Sequence, residues 1–187
     1  MRFALTALAV PLLGMLAAAP AAAQDYPRLK PGLWEVTSRS SAQGPTDPPL
    51  KSTMCLDEVT SKEMYNASQG MMAGLCSKFD VKHDGNKYTS EAICKIGESK
   101  MIAKSTMTVV GDSSYTIQGT STYDPPFMGM KDSQTTLDGK YVGPCKDGLV
   151  PGDFVGPNGQ KFNFKGIASM KGAMPPAQPK SPAKAPQ

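Results

Sequence analysis

Cys76-Ser77-Lys78-Phe79-Asp80-Val81-Lys82-His83-Asp84-Gly85-Asn86-Lys87-Tyr88-Thr89-Ser90-Glu91-Ala92-Ile93-Cys94 decides the fold class. Phe79 and Val81 alternate with polar neighbours, the period of a half-buried strand. Asp84-Gly85-Asn86 then supplies residues that accept the positive φ of a tight turn, and Lys87 to Cys94 returns as the partner strand.

Working towards the C-terminus, the spacing predicts a second hairpin from Met101–Val110 and Ser114–Tyr123 around Gly111-Asp112. Both arms are rich in threonine and other β-branched residues, which suit a half-exposed sheet. Asp124-Pro125-Pro126 is expected to end that pair. Asp132–Val142 follows as a strand with Thr135, Leu137 and Tyr141 on one face, stopped by Gly143-Pro144. A small extra hairpin is expected from Phe154-Val155, a turn at Gly156–Gly159, and Lys161–Phe164.

Towards the N-terminus, Leu33–Arg39 places Trp34 and Val36 on one face, and Lys51–Leu56 makes a short second strand. Asp57 stands at a helix N-cap with Glu58 beside it. Met64, Ser68, Met71, Met72 and Leu75 continue at helical spacing, which predicts one amphipathic helix over 58–72. The expected fold is mainly β (β-rich α+β), an antiparallel meander of six to eight strands, curved or barrel-like. One short helix packs on it and two disulfides staple it.

The two ends of the chain differ in kind. Residues 1–23 have the pattern of a signal peptide: Arg2, an apolar run over Ala4–Leu16, and an Ala21-Ala22-Ala23 cleavage site. That run is shorter than the roughly 20 apolar residues of a membrane span. Cleavage near Ala23 would release a periplasmic or secreted protein. Residues 24–172 are expected to form one domain. Residues 173–187, almost wholly Pro, Ala, Lys and Gln, have the composition of a disordered tail. The charge is mild, with 20 basic and 16 acidic side chains, and scattered, which excludes a nucleic-acid interface.

Cys55, Cys76, Cys94 and Cys145 form an even set in a chain marked for export, so two disulfides are expected. The favoured pairing is Cys55–Cys76, closing a loop over the helix, with Cys94–Cys145 tying the inner hairpin to the last core strand. The rival Cys76–Cys94 is sterically possible, because the turn brings those residues together, but it would constrain a segment already held by strand pairing.

Gly32-Leu33-Trp34-Glu35-Val36-Thr37, Met54-Cys55-Leu56 opening a helix, the Cys76 strand with its Asp84-Gly85-Asn86 turn, Cys94 and Gly143-Pro144-Cys145 recur in one order. In that order the chain resembles the bacterial exported proteins of domain-of-unknown-function family 3617, over about residues 31–145. Members often carry a threonine two residues after the first cysteine, where this chain has Asp57; either residue can cap the helix. The resemblance implies an exported four-cysteine domain and supplies no activity.

No catalytic residue is assigned. His83 is the only histidine and stands beside a turn, without a visible nucleophile or orienting carboxylate. Cysteine spacings of 21, 18 and 51 contain no Cys-x-x-Cys pair, so neither a zinc knuckle nor a redox motif is present. The twelve methionines, with Met71-Met72 and Met128-Gly129-Met130, suit either gap-filling in a core poor in aromatics or Cu(I) ligation. The expectation is therefore a non-enzymatic, monomeric protein without cofactor or bound metal. Its partner would be a small hydrophobic or lipid-like ligand or another envelope component, and its role binding or envelope maintenance. A Met-rich copper-binding protein and a hydrolase with an unrecognised carboxylate pair remain the alternatives.

Overall fold

The computed structural model describes residues 26–165, so the expected signal peptide (1–23) and tail (173–187) lie outside the described residues. The elements are β1 (Gly32–Ser40), β2 (Leu50–Leu56), α1 (Glu58–Leu75), β3 (Cys76–Asp84), β4 (Lys87–Ile96), β5 (Ser99–Val110), β6 (Ser114–Phe127), β7 (Met130–Gly143), β8 (Asp153–Val155) and β9 (Lys161–Asn163). The strands form one antiparallel sheet in the order β3-β4-β5-β6-β7-β1-β2-β8-β9. From β3 to β7 it is a simple meander, as short connections favour. The β1–β2 hairpin then adds to the free side of β7, with Trp34 opposite Tyr141 and Val36 opposite Gly139.

Three expectations are corrected. The sheet has nine strands among the described residues, not six to eight, and it does not close. An 18-residue helix joins β2 to β3. At 1.5 Å per residue such a helix spans about 27 Å, and the outer side of β2 pairs with β8 rather than with β3, so the barrel alternative fails. The same span overturns the favoured disulfide pairing. Cys55 and Cys76 flank the two ends of α1, whereas cysteines whose Cα atoms lie more than about 7 Å apart cannot be bridged. Cys94, on β4, is separated from the end of β7 by β5 and β6. The bridges are instead Cys55–Cys145 and Cys76–Cys94. Cys76 stands opposite Cys94 in the β3–β4 register. Leu33 lies between Cys55 and Gly143, so the other bridge spans β1 and ties β2 to the chain leaving β7. Thirdly, Asp124-Pro125-Pro126 does not end β6. Pairing with β7 shifts register between Thr122 and Phe127 and resumes at Phe127–Met130, so that residues 123–126 bulge out opposite Lys131.

Alternation assigns the faces. Trp34, Val36, Met54, Leu56, Val109 and Tyr115 form the buried cluster, with Leu29, Met64, Tyr88, Met107, Ile117, Leu137, Tyr141 and Phe154 packed around it. Trp34 is fully buried, its indole N–H donates to the Lys30 carbonyl at 2.9 Å, and its ring lies 5.6 Å from that of Tyr115. These residues gather at one end of the strands, where the β3–β4 and β5–β6 turns and the arm before β1 meet. Towards the other end the same face carries small residues (Ala92, Ala103, Ser105, Gly119, Ser121).

Candidate functional site

The arm before β1 is pinned across the turn end of the sheet. Lys30 N–H donates to the Asp112 carbonyl at 2.8 Å, and the Lys30 ammonium sits 4.8 Å from the Tyr141 ring centre. Leu29 enters the core beside it. Both turns are fixed by short bonds. Gly85 adopts φ +59°, which the β3–β4 turn requires and only glycine takes at little cost. Asn86 donates its side-chain amide to the Val109 carbonyl at 2.9 Å and accepts the Val109 N–H at 2.9 Å. The first hairpin is thereby locked to β5.

Between arm and turns lies a depression of about 530 Å³, bounded by Tyr26, Arg28, His83, Asn86, Tyr88 and the Val109–Gly111 corner. Its floor is apolar and continuous with the core, since Val109 is buried and Tyr88 packs on the core cluster. Val110 forms an apolar lip, 62% exposed. The rim is polar. His83 stacks on Tyr88 with ring centres 4.3 Å apart and planes 8° from parallel. Its Nε2 lies 2.6 Å from the Gly85 carbonyl, which can only accept, so Nε2 carries the proton. Tyr26 also meets Tyr65 of α1 at 6.0 Å, so the helix borders the same region. An apolar floor with an Arg, a His and an amide at the edge can hold an amphiphile.

The helix does less than expected. It is capped as predicted, Asp57 accepting the Thr60 N–H at 2.6 Å. Burial opposes the charge of the Asp57 carboxyl, but the Thr60 bonds and Lys165 outweigh it and hold the pKa below its usual value. Yet only Thr60 is buried, with a hydroxyl that finds no partner, and Met64 alone of the helix joins the core margin. Val59, Met71 and Leu75 stay exposed. The helix crosses the sheet without sealing a cavity over the small-residue half.

The opposite face is a solvated one. Lys78 bridges Asp80 at 3.1 Å and Glu91 at 3.5 Å, and Lys104 reaches Glu91 at 3.4 Å. These bonds push the Lys78 ammonium up and hold the Glu91 carboxyl down, but every partner is half-exposed and the net gain is small. A shallow hollow of about 320 Å³ over Lys104, Gln118 and Thr136 has the same polar character.

The sequence candidates disperse. The four cysteines are all in disulfides. Met54, Met64 and Met107 fill core gaps, while Met128 sits 70% exposed in the β6–β7 turn at φ +50°. Among the described residues no group of three or more His, Cys, Asp or Glu side chains is placed to hold a metal ion. Burial pushes the Tyr115 phenol up to about 12, so it serves as a neutral core group. The sequence analysis placed His83 beside a turn and missed its stack on Tyr88. The signal was available, because His83 and Tyr88 flank the turn symmetrically and pair across it.

Among curated proteins and among solved structures, none matches the chain. The family model described as protein of unknown function (DUF3617) matches residues 29–145, more than half the chain, with all four cysteines and every strand through β7, and the protein belongs to that family.

Proposed function

We propose that this is a non-catalytic binding protein of an oxidising compartment. It holds a small amphiphile, such as a single-chain lipid, in the depression between the arm and the two turns. One observation carries the proposal: that depression has an apolar floor continuous with the core and a polar rim of Arg28, His83 and Asn86. Its volume falls within the roughly 300–1,000 Å³ of small-molecule sites. The two disulfides suit an exported protein, as does the signal-like N-terminus. No helix among the described residues is long and apolar enough to cross a membrane.

The test uses the full chain exported and purified from a periplasm. Native mass spectrometry should find a bound lipid, and titration with dodecanoate should give one site. Val110→Glu adds a like charge at the exposed lip, leaves the core untouched, and should weaken dodecanoate about tenfold. Absent binding, or affinity unchanged by Val110→Glu, would contradict the assignment.

A further inference from the structure

Strand β3 ends the sheet, with β4 as its one strand neighbour among the described residues. Among the described residues no strand pairs with its outward edge, whose N–H and C=O groups are a template for another strand. Helix α1 runs directly into β3 and contacts both β3 and β4. Edge strands are commonly protected by lysines. Here Lys78 and Lys82 alternate with Asp80 and Asp84, and all four lie on the solvated face. The same alternation puts Phe79, Val81 and His83 on the core-facing side.

A strand carrying plus, minus, plus, minus at every second residue is complementary to its own reverse. The geometry points to a second copy of this chain as the partner, with β3 pairing antiparallel to β3 about a two-fold axis through Val81. In that register Lys78 faces Asp84 of the second copy and Asp80 faces Lys82, each twice by symmetry. Val81 faces Val81, and Phe79 lies opposite His83, extending the His83–Tyr88 stack across the junction. Only residues of the same parity can pair, because alternate residues point their backbone groups outward. The neighbouring registers are excluded by charge. Centring on Asp80 sets Asp80 against itself and Lys78 against Lys82. Centring on Lys82 sets Lys82 against itself and Asp80 against Asp84. Like charges directly opposite destabilise a strand pair. The charge pattern thus blocks the two neighbouring registers and favours the one centred on Val81, whose four Lys–Asp pairs outnumber the two kept by registers centred on Phe79 or His83. A closed two-fold contact uses up the β3 edge of both copies and ends assembly through that edge at two copies. The proposal departs from the monomer expected from sequence and is independent of ligand binding.

Sedimentation velocity of the full exported chain, from micromolar to millimolar concentration, tests it. The wild type should show a reversible dimer. Lys82→Asp places a carboxylate opposite Asp80 of the other copy and should weaken the dimer about tenfold or more. Asp80→Lys combined with Lys82→Asp restores opposite signs and should recover it. Both positions are exposed, so both variants keep wild-type strand content by circular dichroism. A wild type monomeric throughout, a dimer indifferent to Lys82→Asp, or a folded double variant that stays monomeric would each overturn the pairing.

Discussion

Asp153 shows how much one buried carboxylate sets. It accepts from the Lys161 ammonium at 2.8 Å, the Val150 N–H at 2.8 Å and the Asn163 amide at 2.8 Å. The Lys161 bond first, and the Val150 bond next, outweigh burial and lower its pKa to about 2. The folded value lies below the unfolded one, so this stabilisation is complete above about pH 4 and lost as pH falls through 2. Asp153→Asn should cost on the order of 2 kcal/mol at pH 7 and almost nothing near pH 2; urea unfolding at both values checks it. Gly139 is the second such position. A Cβ there would collide with the Tyr115 ring, which lies directly over its backbone. Gly139→Ala should cost about 1–3 kcal/mol by overpacking, seen as a lower urea midpoint at unchanged slope. Neither role was legible in the sequence. A glycine inside a strand signals close approach but not by what, and Asp153 depends on partners from the preceding turn and from β9 that only the β8–β9 pairing brings together.

At the scale of elements, the local patterns carried most of the information. The first hairpin, the Asp57 cap and the β5 and β7 segments were legible because alternation and turn chemistry are properties of neighbouring residues. The disulfides were not, since pairing depends on where elements end. The length of α1 held the missing constraint: a helix between Cys55 and Cys76 keeps them apart. The two bridges should differ in worth. Cys55–Cys145 spans 90 residues of chain, while Cys76–Cys94 spans 18 and closes a hairpin already held by its ladder. On loop entropy the first is worth about 4–5 kcal/mol and the second about 3 at most. Replacing both Cys55 and Cys145 by Ser should therefore lower Tm further than replacing Cys76 and Cys94, by calorimetry on the two double variants. Equal losses would show that the hairpin bridge does more than close its own loop.

On the scale of the whole molecule, the thin core explains the lopsided architecture. Trp34, Tyr115 and Tyr141 concentrate the apolar packing at the turn end, and among the described residues the other half of that face carries mainly small side chains. The open sheet order was not legible in the sequence, because strand neighbours such as β1 and β7 lie some hundred residues apart and share no local signal. The depression under the arm was equally hidden, since Tyr26, His83 and Val110 come from three separated segments. The proposed ligand site sits beside the best-packed region, with Val109 buried at its floor and Val110 exposed at its lip. Backbone amide chemical shifts of the exported, oxidised protein titrated with dodecanoate test this most directly. The predicted result is saturable shifts confined to residues 26–30, 83–88 and 109–112. Shifts scattered over the sheet, or centred on the small-residue face around Gly119, would contradict it.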